Sequence, residues 1–87
     1  MNNRMAVIAI WVASKEHVDR LNAILSDFSE FVRGRMGLPC PERQGALISL
    51  IVEGNTDQIG ALSGKLGKLD GVTAKTAYSN YIFKDET

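Results

Sequence analysis

Two stretches of this chain, Arg4–Ala13 (RMAVIAIWVA) and Gly45–Gly54 (GALISLIVEG), read as strands with apolar side chains on both faces. Side chains alternate along a strand. Val7, Ala9 and Trp11 therefore point one way, and Ile8, Ile10 and Val12 the other. Such a strand belongs inside a sheet whose two faces are both covered. With 87 residues the chain makes one domain and buries only about 60–65% of the surface its unfolded form exposes. The two strands must share the centre of one small sheet, and something has to cover each face.

The remaining segments supply one cover. Ser14 offers a helix N-cap, with Glu16 in the first turn. Val18, Leu21, Ile24, Leu25 and Phe28 follow at helical spacing, predicting a first helix over about Lys15–Ser29. Phe31–Leu38 alternates, with Val32, Gly34, Met36 and Leu38 on one face and Arg33 and Arg35 on the other, as in a half-buried edge strand. Pro39–Gln44 reads as the loop that follows. Asn55 and Gln58 form a capping-box pair ahead of a second helical stripe, Ile59, Leu62, Leu66 and Leu69. Gly71 suits the left-handed position that ends it, and Val72–Tyr78 is a second amphipathic strand.

This order predicts an α+β, ferredoxin-like βαββαβ sandwich. Two split β-α-β crossovers give an antiparallel sheet ordered 4-1-3-2 with both helices on one face. The domain spans residues 1–79, and 80–87 form a C-terminal tail. The other sheet face is left bare although the central strands offer it apolar residues, which soluble proteins avoid unless a partner covers them. The expected partner is the protein itself, as a dimer or a multiple of dimers.

Charge narrows the function classes. Ten Lys+Arg balance ten Asp+Glu, which argues against direct nucleic-acid binding, because phosphates call for an excess of cations. The longest apolar run, Met5–Ala13, has nine residues, too short to cross a bilayer. It suits a strand better than a signal peptide. The single cysteine excludes an internal disulfide. These features suit the cytoplasm.

No catalytic residue stands out. Cys40 and His17 are the only soft metal ligands, and a nickel or zinc site needs about four donors, so neither a metal nor another cofactor is expected. GALSGKLG fails as a phosphate loop: three residues separate Gly60 from Gly64, and Leu66 stands where a hydroxyl is required. Gly60, Gly64 and Gly67 share one side of the second helix. Each costs about 1 kcal/mol relative to alanine, so a close approach by the first helix, a neighbouring subunit or a ligand is expected there.

Trp11 is expected to anchor an interface. Arg33 and Arg35 are expected to point towards the bare face or its rim, either as solubilising charges or as a cationic site. In GRMGLPCPERQG, Gly34–Gly45, the expected hairpin brings Arg35, Cys40 and Arg43 to a subunit boundary, where an effector would sit. A ferredoxin-like enzyme such as an acylphosphatase would need Gly and Arg between strand 1 and helix 1. The sequence there is ASKEH.

RMGLP at Arg35–Pro39, ISLIVEG at Ile48–Gly54, IGALSGKLGKL at Ile59–Leu69 and GV at Gly71–Val72 resemble the iron-only hydrogenase system regulators. The resemblance covers about Arg4–Tyr78. It implies an ACT-like domain, similar to the C-terminal sensor domain of the nickel-responsive repressor NikR. It further implies an oligomeric regulator, of transcription or of a partner protein, that senses a small molecule. With no DNA-binding domain in the sequence given, another protein would make any DNA contact. Cys40 between two prolines and the tail NYIFKDET depart from the family pattern. The alternative is an assembly module without a small ligand.

Overall fold

A computed structural model describes residues 2–13 and 15–84. Strand β1 spans Asn2–Val12, β2 Val32–Cys40, β3 Gly45–Gly54 and β4 Val72–Lys84; helix α1 spans Val18–Asp27 and α2 Thr56–Gly67. Short 3-10 turns at Lys15–His17 and Ser29–Phe31 flank α1, and a third at Pro41–Arg43 joins β2 to β3. The sheet is antiparallel, ordered β2-β3-β1-β4, the same as the expected 4-1-3-2.

The core lies between the helices and one face of this sheet. Ala6, Ile8, Ile10 and Val12 of β1 meet Ile48, Leu50 and Val52 of β3 and Val72 of β4; Leu21 and Leu25 of α1 and Ile59, Leu62 and Leu66 of α2 close over them. Each fully buried Leu or Ile is worth about 1.5–3 kcal/mol relative to exposure, so this layer holds the molecule together. The second helix starts where expected. The Asn55 side-chain oxygen accepts the Gln58 N–H at 2.8 Å, and the Gln58 side-chain oxygen accepts the Asn55 N–H at 2.9 Å. Gly71, at φ 72°, turns the chain into β4, and its carbonyl accepts the Ala13 N–H at 2.6 Å.

Four expectations are corrected. The first helix is shorter than Lys15–Ser29: His17 sits at its cap with no side-chain hydrogen bond, and the expected cap, Ser14, lies outside the described residues. The chain leaves α-geometry after Asp27: the Phe28 N–H still reaches the Ile24 carbonyl at 3.1 Å, and the Phe31 N–H then closes a tighter turn onto the Phe28 carbonyl at 2.9 Å. β2 runs on through Pro39 and Cys40, because an edge strand tolerates a residue that cannot donate to the ladder. β4 does not stop at Tyr78. An irregularity between Arg4 and Ala6 of β1 lets pairing resume as Arg4–Ile82, Asn3–Phe83 and Asn2–Lys84, so residues 80–84 belong to the sheet.

The fourth correction has the widest effect. β2 carries a bulge between Val32 and Gly34. A bulge inserts one unpaired residue and shifts the alternation that follows. Val32 therefore packs against the core, whereas Gly34, Met36 and Leu38 pair with Ile51, Ser49 and Leu47 on the bare face. Arg35 pairs with Leu50, and so turns to the helix side rather than towards the bare face.

Candidate functional site

Two surfaces stand out, one on each side of the sheet. On the bare side the register sets residues in rows across β4, β1, β3 and β2: Ala77, Val7, Ile51 and Gly34; Lys75, Ala9, Ser49 and Met36; Thr73, Trp11, Leu47 and Leu38. Ser49 is the only polar residue among the β1, β3 and β2 positions of these rows, and Val7, Met36, Leu38, Leu47 and Ile51 are each between 42% and 74% exposed. Together they form a contiguous apolar face on the side of the sheet away from the helices.

Trp11 is half-buried at one end of that face because its ring lies against the backbone of Gly45. A Cβ on Gly45 would stand 2.7 Å from Trp11 Cζ2 and 2.5 Å from the Val12 carbonyl oxygen, so only glycine fits there.

On the helix side, the N-terminal half of α1 and the β2–β3 hairpin enclose an open cleft of about 830 Å³. Val12, Val18, Leu21 and Ile48 make its apolar floor and wall, and Pro39 and Pro41 form the hairpin side. Arg35 is its one charged lining residue among the described residues, and Gly45 belongs to the lining as well. Arg35 Nη2 donates to the Asn22 side-chain oxygen on α1 at 3.3 Å, which holds the guanidinium against α1, at the border between this cleft and a second hollow lined by Asn22, Leu25, Ser26 and Val32. The bulge in β2 is the reason this cation faces the helices.

The residues singled out from the sequence are thus spread over several places. Arg33 pairs with Glu53 at 2.9 Å at the far end of the sheet, beside a smaller polar pocket that also includes Asn3, Glu30 and Gln58. Both partners are partly open to solvent, and such a pair is worth at most about 1 kcal/mol. Cys40 ends β2, its thiol 3.8 Å from the Leu38 carbonyl, and Arg43 is exposed on the hairpin turn. Neither lines the cleft. His17 sits on the turn before α1, beside Gly71.

Gly60, Gly64 and Gly67 lie on the exposed side of α2, where an added Cβ meets nothing within 4 Å. The expected approach of α1 is absent. Gly64→Ala should therefore raise stability by up to about 1 kcal/mol in thermal unfolding of the dilute protein. A loss instead would mean that another molecule packs on this face.

The cleft itself was not anticipated. Its signals were present, a pair of prolines framing a strand end and an Arg-Met-Gly run after a glycine, but only the bulge gives them a common direction.

Comparison with known proteins bears on what this arrangement is. No curated protein matches the chain. Among solved structures, TM1266 from Thermotoga maritima is 40% identical, with a TM-score of 0.83 over 87% of this chain and 96% of that one. The C-terminal domain of the MgtC protein from Mycobacterium tuberculosis shares the fold at 10% identity, with a TM-score of 0.69 over 90% and 89% of the two chains. So does apo CPII from Thiomonas intermedia K12, a nitrogen regulatory PII-like protein, at 12% identity and a TM-score of 0.57 over 97% and 98%. The family model for TM1266-like proteins, described as candidate iron-only hydrogenase system regulators, matches residues 4–76. A match of that extent, together with a structural relative at 40% identity, places the chain in the TM1266-like family.

Proposed function

We propose that this protein is a non-enzymatic, homo-oligomeric regulatory module of ACT-like form, acting in the cytoplasm within the hydrogenase or redox system for which its family is described. It joins copies of itself through the bare sheet face. It responds to a small molecule or a partner protein held elsewhere on its surface. The observation that carries this reading is the apolar face formed by Val7, Trp11, Leu38, Leu47 and Ile51 across three adjacent strands.

Such a face needs its cover from the moment the chain folds. A second copy is the one partner always present at equal concentration, and a flat face of mixed apolar residues can serve as its own complement about a two-fold axis. The regulatory part of the reading is supported by the family description. Light scattering at micromolar concentration should give the mass of a dimer or a multiple of dimers. A clean mass of 9.5 kDa would sink the proposal.

A further inference from the structure

We propose that the cleft between α1 and the β2–β3 hairpin binds a small monocarboxylate with an apolar body and no amino group. The proposal deepens the regulatory reading by naming the class of molecule to which the module responds. The carboxylate is held by Arg35, and the body lies against Val12, Val18, Leu21 and Ile48.

Three observations lead there. A cleft of about 830 Å³ falls within the roughly 300–1,000 Å³ usual for small-molecule sites. Its walls are mostly apolar, so a ligand bearing many hydroxyls would lose their hydrogen bonds to water without replacement. Among the described residues, its one charged lining residue is an arginine whose guanidinium has five N–H donors, of which one is engaged by Asn22.

Among the described residues no carboxylate pairs with Arg35, whereas Arg33 has Glu53. A planar carboxylate matches the guanidinium fork with two parallel hydrogen bonds. A phosphate dianion would leave its second charge against apolar side chains. Among the described residues the lining also holds no acidic group to receive an ammonium, which disfavours an amino acid. The cleft lies within one chain, so binding there does not require assembly.

Hexanoate is a suitable probe. Amide NMR spectra of the ¹⁵N-labelled protein, titrated with hexanoate, should show saturable shifts at Val18, Gly45, Ala46 and Ile48, with a dissociation constant on the order of millimolar for so small a ligand. Hexanol and norleucine should each bind at least about tenfold more weakly. Arg35→Gln should weaken hexanoate by a similar factor and leave hexanol unchanged, while Arg33→Gln should change neither. Arg35 is exposed, so its variant folds, which the dispersion of the same spectra verifies.

Shifts scattered outside the cleft, equal binding of hexanoate and hexanol, an Arg35→Gln variant that binds as the parent does, or no saturable shift at all would each overturn the proposal. The mass in the same samples separates the two readings. A monomer that binds hexanoate through Arg35 defeats self-association alone. An oligomer indifferent to hexanoate defeats the carboxylate site alone.

Discussion

Gly45→Ala should destabilise the fold by about 3 kcal/mol, the upper part of the usual range for overpacking. The new methyl would stand 2.5 Å from the Val12 carbonyl oxygen and 2.7 Å from Trp11 Cζ2. The ring could swing away, but the carbonyl belongs to a strand that pairs with both β3 and β4, and cannot move without disturbing both ladders. A domain of this size has a total stability of roughly 4–13 kcal/mol, so the loss would shift the urea midpoint far to the left. Gly37→Ala is the matched control. Its Cβ would meet Ile48 at 3.9 Å, an ordinary contact, and the midpoint should barely move. Equal midpoints for the two variants would show that the hairpin root is not held as described.

The second large effect concerns assembly rather than folding. Val7→Glu places a carboxylate in the middle of the bare face, between Ile51 and Ala77. In a single chain Val7 is already 42% exposed, so the charge stays hydrated and the fold should survive with an unchanged circular dichroism spectrum. In a face-to-face pair, two such charges would be buried without partners, at a cost of several kcal/mol. Association should weaken by at least about a hundredfold, leaving a 9.5 kDa particle by light scattering. A Val7→Glu protein that keeps the parent's mass would move the interface elsewhere.

The parts of this molecule that could be read from sequence are those governed by short-range periodicity. The doubly apolar patterns of β1 and β3 predicted their central places, the stripe from Ile59 to Leu66 and the Asn55–Gln58 pair predicted α2, and Gly71 marked the turn into β4. Failures came where one residue changes a direction. Nothing in VRGR says whether the strand continues its alternation or bulges, because Arg and Gly are tolerated by both. The bulge sends Arg35 to the helices and Met36 and Leu38 to the bare face. The need for glycine at position 45 is equally silent in sequence. It arises from a tryptophan far back in the sequence, Trp11, that only the β1–β3 register brings alongside. Likewise, Asn80 looks like the start of a tail until the irregularity near Met5 allows pairing to resume beyond it.

That resumed pairing has a practical side. β1 and β4 together make a long ribbon, which accounts for the 47 Å length of a molecule only 20 by 16 Å in its other dimensions. Asn2 and Lys84 are neighbours at its tip, and Val12 and Ala13, at the other end of β1, border the cleft. At about 3.3 Å per strand residue, a tether placed at either Asn2 or Lys84 leaves from one common point about 30 Å from the cleft. A fluorophore, a surface linkage or a fused domain anchored at that handle would therefore leave the hairpin and the guanidinium of Arg35 open to solution.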